Sequence, residues 1–204
     1  MSLRENSLAL IYYRFIDKTL LPVLKNLAIT PNQYSLIGLL LAIAVPIGFF
    51  LDPVLGLGLI VLSGFADTLD GIVARRRRTA SQIGAFIDST FDRISDFCYL
   101  FGIWVLFWQM QGIILSSALI FVSFLMTFMV SYVKARATTL GVSCDIGWME
   151  RGYRTLYLIV WVMLICILPG YRNMILWSGL VLYLVLTSAT ALQRIIQTRP
   201  KLLP

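Results

Sequence analysis

Charge-free windows at 26–51, 97–133, 155–171 and 173–193 dominate the pattern of the chain. A helix that crosses a bilayer needs about 20 mostly apolar residues, so the first window holds one span over 33–51. The second is too long for one helix, and the polar turn Gln109-Met110-Gln111-Gly112 divides it. Pro169-Gly170 separates two last spans. Between residues 53 and 108 the pattern changes. Two short apolar runs, 53–66 and 97–108, flank a segment holding Asp67, Asp70, four arginines at 75–78, Asp88, Asp92, Arg93 and Asp96. Neither run spans a bilayer alone, but each does if its helix continues into the charged segment, over 54–76 and 82–108. The pattern therefore predicts an all-α integral membrane protein with six transmembrane helices, one domain over 1–204. Over 1–28, Arg4, Glu5, Arg14, Asp17, Lys18 and Lys25 interrupt Leu8, Ile11, Phe15, Leu20, Leu21, Val23 and Leu24. That alternation predicts an amphipathic helix on the membrane surface, kinked at Pro22.

Composition narrows the chemistry. Only 13% of residues are charged against 59% hydrophobic, about half the charge of a soluble domain, which excludes a disordered chain and an ordinary soluble enzyme. Histidine is absent, so no Ser-His-Asp triad, HExxH zinc site or imidazole base can exist. Cys98, Cys144 and Cys166 are scattered without CxxC spacing and read as free thiols. The net charge of +7 follows from topology. With both termini in the cytoplasm, Arg172 is the only basic residue outside, as the positive-inside rule requires. Because the basic residues flank spans, no nucleic-acid partner is expected.

Charged groups at membrane depth cost about 2.5–3.5 kcal/mol each, so five aspartates in two spans need compensation. Asp67 and Asp70 lie three apart and share one helical face; Asp88, Asp92 and Asp96 lie four apart and stack on one face of the next helix. Both segments arrive at the cytoplasmic side across a short basic loop. Converging carboxylates without nearby His or Cys point to Mg²⁺ or Mn²⁺, as a pair of ions. Two other readings stay open here: salt bridges to Arg75–Arg78 and Arg93, or the acids of a divalent-cation or proton transporter. Gly71 and Gly84, lacking Cβ atoms, permit either close helix packing or close approach of a ligand.

Residues 67–92 read Asp67-Thr-Leu-Asp70-Gly71-Ile-Val-Ala74-Arg75, eight intervening residues, then Gly84-Ala-Phe-Ile-Asp88-Ser-Thr-Phe-Asp92. This resembles, at every fixed position and gap, the DxxDGxxAR…GxxxDxxxD signature of the CDP-alcohol phosphatidyltransferase family. The resemblance implies an enzyme that moves a phosphatidyl or similar group from a CDP-linked lipid to an acceptor hydroxyl, releasing CMP. It further implies that Asp67, Asp70 and Asp88 are the principal metal ligands. Asp92 would complete the site and serve as general base. Gly71, Ala74, Arg75 and Gly84 would line the CDP pocket, and the protein would be a homodimer. Asp96 lies outside the signature and is assigned to support or helix packing.

The acceptor is read from three segments. Asp88-Ser89-Thr90-Phe91-Asp92-Arg93 looks like the inositol-phosphate-using branch more than the glycerol-phosphate branch, where a DPxADK-like pattern is usual. Ser131–Ala137 and Glu150–Arg154 resemble the basic segments that line the acceptor pocket in that branch, or in its archaeal-lipid counterpart. The second departs from the ERxER pattern, with Tyr153 where Glu would stand. Lys134, Arg136, Arg151 and Arg154 face one cytoplasmic loop, and clustered guanidinium and ammonium groups suit a phosphate. Positive-inside enrichment would also place them there. The expected acceptor is a phosphorylated polyol, inositol phosphate first and glycerol 3-phosphate second, with CDP-diacylglycerol or CDP-archaeol as donor.

Overall fold

A computed structural model describes residues 30–77, 81–108 and 112–202. The amphipathic segment expected over 1–28 lies outside the described residues. Six long helices follow in order: α1 (Pro31–Leu51), α2 (Pro53–Arg77), α3 (Gln82–Phe107), α4 (Ile113–Thr139), α5 (Arg151–Ile167) and α6 (Arg172–Thr198). Short 3₁₀ turns at Pro169–Tyr171 and Arg199–Leu202 complete the regular structure, and no strand occurs among the described residues. Four helical segments, Pro31–Leu51, Pro53–Arg77, Ile113–Thr139 and Pro169–Leu202, are long and apolar enough to cross a membrane. The other two differ for identifiable reasons. α3 carries Asp88, Asp92, Arg93 and Asp96 between its start and its middle turns, and α5 has only 17 residues.

Local chemistry sets the boundaries. Pro31 opens α1, and the Thr30 backbone N–H donates to Gln33 Oε1 at 2.8 Å, one half of a capping box. Asp52 leaves helical geometry and accepts from the Val54 N–H at 2.7 Å, so α1 reverses into α2 across a single residue. Ser81 caps α3 by accepting from the Gly84 N–H at 3.0 Å. Gly112, with φ of 87°, starts α4 after the expected polar turn.

Small residues let the first three helices approach closely. A Cβ on Gly48 would lie 3.1 Å from the Gly56 backbone, and one on Gly38 would lie 3.3 Å from the Ser63 carbonyl. Gly102 of α3 receives the side chains of Val45 and Phe49 from α1. Polar links are buried in the same seam: Tyr99 donates to Ser63 Oγ at 2.7 Å, and Ser63 donates to the Gly38 carbonyl at 2.6 Å. On the other side, Thr127 of α4 hydrogen-bonds Tyr183 of α6 at 2.9 Å, and Trp161 of α5 donates to the Ile175 carbonyl of α6 at 2.8 Å. Outward-facing Leu40, Ile47, Phe50, Phe121, Leu182 and Ile196 are exposed, as an apolar solvent permits and water does not. Gly102→Val is expected to cost about 1–3 kcal/mol by overpacking, because its Cβ would lie 2.6 Å from the Phe49 ring. A lower unfolding midpoint in detergent is the measurement.

Candidate functional site

One end of the bundle gathers the start of α1, the end of α2, and the starts of α3 and α5. Asp67 and Asp70, three residues apart, project from the last turns of α2, and Asp88 from the second turn of α3. Carboxylate oxygens of these three residues lie within 4.8 Å of one another. Asp70 is buried, and its Oδ2 accepts from Ser35 of α1. Three anionic oxygens held this close repel unless a cation shares them. The all-oxygen donor set fits a hard divalent ion such as Mg²⁺ or Mn²⁺.

Asp92, one turn beyond Asp88, is 8% exposed and does not stand alone. Arg151, at the start of α5, places Nη1 2.6 Å from Asp92 Oδ1 and 2.6 Å from Asp67 Oδ2. Arg93 adds a longer contact to Asp92 at 3.7 Å. Asp96, a further turn along α3, is directed away from the acidic group. It pairs with Arg154 Nη2 at 2.7 Å, while Arg154 Nη1 donates to the Met149 carbonyl at 3.0 Å. Both members of that pair are buried. Asp96→Ala would strand the Arg154 guanidinium, and a loss of about 3–5 kcal/mol in stability is expected. The readout is thermal unfolding in detergent, with Arg154→Leu/Asp96→Leu recovering much of the loss.

Beside the carboxylates lies a cleft of ≈ 200 Å³. Asp70, Gly71, Ala74, Arg75, Gly84 and Asp88 line it, so all four residues expected at the nucleotide pocket share one wall system. The opposite wall is the start of α1, with Asn32 and Ser35. Sequence reasoning missed that wall. Its signal was the polar first turn of an otherwise apolar helix, Asn32-Gln33-Tyr34-Ser35, with Asn32 and Ser35 three residues apart. A wider hollow of ≈ 350 Å³ lined by Tyr171, Asn173, Met174 and Trp177 contains no acidic residue, and the candidate chemistry is not there.

The four basic residues expected around an acceptor phosphate separate into different settings. Lys134, at the end of α4, reaches Asp145 at 2.7 Å and Glu150 at 3.6 Å, and its ammonium holds the exposed Asp145 carboxyl below the usual carboxylate range. Arg136 is exposed. Arg151 enters the acidic group, and Arg154, at 1% exposure, is committed to Asp96 and a backbone carbonyl. Arg154 is therefore the one of the four that is fully buried, while Lys134 and Arg151 are half-buried and Arg136 is exposed. The 140–150 loop that joins these helices is held by α6: Arg194 donates to the Ile146 carbonyl of the loop and to the Val130 carbonyl of α4, each at 2.6 Å, and Thr190 accepts from the Met149 N–H at 3.3 Å. Gly147, at φ of 103°, lets the loop turn against Thr190.

The model of the CDP-alcohol phosphatidyltransferase family matches residues 28–185, which include the carboxylates, the cleft and the start of α5. The chain belongs to that family. It is accordingly a membrane-lipid transferase of the CDP-alcohol class. An archaetidylinositol phosphate synthase from Methanothermobacter thermautotrophicus is 39% identical to it over 147 residues, covering 72% of this chain and 70% of the relative. The crystal structure of the Mycobacterium tuberculosis phosphatidylinositol phosphate synthase with CDP-DAG bound matches with a TM-score of 0.73 and 25% identity, over 87% of this chain and 90% of that one. A structure of the same mycobacterial enzyme in complex with manganese and citrate gives a TM-score of 0.73 at 24% identity, over 87% and 86% of the two chains. The phosphatidyltransferase signature thus spans α2 and α3, with α1 and α5 closing the site around it.

Proposed function

We propose that this phosphatidyltransferase moves the phosphatidyl group of a CDP-linked lipid, ester or archaeal ether, to a hydroxyl of inositol phosphate and releases CMP. The observation that carries the reading is the convergence of Asp67, Asp70 and Asp88 beside the cleft lined by Gly71, Ala74, Arg75 and Gly84. The similarity to an archaetidylinositol phosphate synthase and a phosphatidylinositol phosphate synthase supports the acceptor. Asp67, Asp70 and Asp88 would hold divalent cations, with Asp92 completing the set. The chemistry such ions would supply there is charge neutralisation of the donor's diphosphate. Gly71 and Gly84 leave the cleft open to the nucleotide, and Arg75 meets its phosphates. Asp92 takes the proton of the acceptor hydroxyl. The new bond joins that oxygen to the lipid-side phosphorus, and the bond to the CMP oxygen breaks. Lys134, Arg136 and Arg151 receive the acceptor's own phosphate, while Arg154 holds the start of α5 from beneath.

The membrane setting follows the same logic. Each of the six helices spans the bilayer, including α3 and α5, with the acidic end in the cytoplasm. The starts of α1, α3 and α5 and the ends of α2, α4 and α6 then share the cytoplasmic side, and Arg172 lies at the other end. Lipid tails can stay in the bilayer while the headgroup enters the cleft. The test is CMP release by purified protein with Mg²⁺ and CDP-diacylglycerol or its ether analogue, offered inositol phosphate, free inositol, glycerol 3-phosphate or serine in parallel. Turnover with inositol phosphate above all others is the expected result. Preference for glycerol 3-phosphate would keep the chemistry and replace the acceptor.

A further inference from the structure

Arg151 sits where two needs conflict. Its Nη1 bridges Asp67 of α2 and Asp92 of α3 at 2.6 Å each. The same Asp67 belongs to the trio whose oxygens converge within 4.8 Å. A guanidinium on Asp67 and a divalent cation on the trio compete for one carboxylate, and the two positive charges repel. We infer that Arg151 is an exchangeable counter-ion: it closes Asp67 and Asp92 while no cation is bound, then turns to the acceptor's phosphate once a divalent cation takes the carboxylates. This rests on the proposed reading of the aspartates as a cation site.

The surroundings suit such an exchange. Arg154, one turn along the same helix, is immobilised by Asp96 and the Met149 carbonyl at 1% exposure. Arg194 and Thr190 fasten the preceding loop. The helix start is therefore fixed, and only the Arg151 side chain has to move. With its side chain 24% exposed, it has a route to the surface. Lys134, whose ammonium contacts Asp145 at 2.7 Å and Glu150, the residue before Arg151, at 3.6 Å, is the neighbouring cation toward which a guanidinium turned outward would move. Two such donors make a phosphate site that one does not. Cation and acceptor phosphate then bind cooperatively, and by linkage each strengthens the other by the same factor. The acceptor thereby binds more weakly until the cation is in place.

The test uses purified full-length protein in detergent. A Mn²⁺ titration followed by electron paramagnetic resonance, on wild type and Asp88→Asn, first measures the cation site. Phenylglyoxal labelling, read by peptide mass spectrometry, then follows each arginine. Labelling of Arg151 should rise about fivefold or more with Mg²⁺ and fall again on adding inositol phosphate. Arg136 should label throughout and Arg154 stay protected. Arg151→Gln should bind Mn²⁺ about tenfold more tightly than wild type, and Arg151→Lys, which keeps the charge, should bind it less tightly than the Gln variant. The labelling arm needs no variant, so it decides even if Arg151→Gln does not fold. Arg151 labelling that is unchanged or reduced by Mg²⁺, or Mn²⁺ binding that is unchanged or weaker in Arg151→Gln, overturns the exchange. Wild-type protein that binds no Mn²⁺, or binds it equally well with Asp88→Asn, instead removes the cation reading itself.

Discussion

Asp70→Asn is expected to lower CMP release by about 10²–10³-fold or more, the scale of losing one preorganised electrostatic element from a reacting site. Asp70 is the most buried member of the converging trio, and its carboxylate is oriented by Ser35 from another helix. An amide at this position keeps the shape and loses the charge. Mn²⁺ binding measured by electron paramagnetic resonance should fall with activity, and chelation of wild-type protein by EDTA should reproduce the loss and be reversed by Mg²⁺. Ser35→Ala should be milder, about 10–100-fold in cation affinity, because it removes the orienting hydrogen bond and leaves the ligand. Equal activity of Asp70→Asn and wild type at saturating Mg²⁺ would exclude Asp70 as a ligand.

Asp92→Asn separates proton transfer from cation binding. Loss of a positioned general base costs about 10²–10⁴-fold, so CMP release should nearly vanish. Mn²⁺ binding should largely persist, weakened only by the loss of the fourth carboxylate, since Asp67, Asp70 and Asp88 converge without Asp92. The folded state should also survive, because Arg151 retains its contact to Asp67. Full turnover by Asp92→Asn would sink its assignment as base. The two variants together therefore distinguish a ligand from a base on carboxylates carried by two different helices at one end of the bundle.

Much of this architecture is legible in the chain. A run such as 33–51 must be helical in an apolar solvent, because an unpaired backbone there is too costly, and α1 occupies Pro31–Leu51. The turn at Pro169 and the start of α4 at Gly112 follow from proline's missing donor and glycine's access to positive φ. The convergence of Asp67, Asp70 and Asp88 is likewise a matter of spacing on consecutive helices, since residues three or four apart share a face. Spacing on α3 says less about Asp96. It continues the run from Asp88 and Asp92 at intervals of four, yet it pairs with Arg154 in the bundle interior.

That divergence marks the boundary between the two kinds of information. Helix positions and the acidic faces of α2 and α3 were determined by the sequence, because each depends on a local period or on a residue's own conformational limits. That Gly71, Ala74, Arg75 and Gly84 share one cleft was implied by the family signature. Partners across the bundle were decided only by the tertiary structure. Asn32 and Ser35 reach the cleft because α1 packs on α2, more than thirty residues away along the chain. Of two arginines one turn apart on α5, Arg151 meets the acidic group and Arg154 is buried with Asp96. Both are basic residues at the start of α5, and no local rule tells them apart. Their difference comes from depth in the bundle, where a fully desolvated guanidinium must be paired and hydrogen-bonded, whereas one nearer the surface can exchange partners.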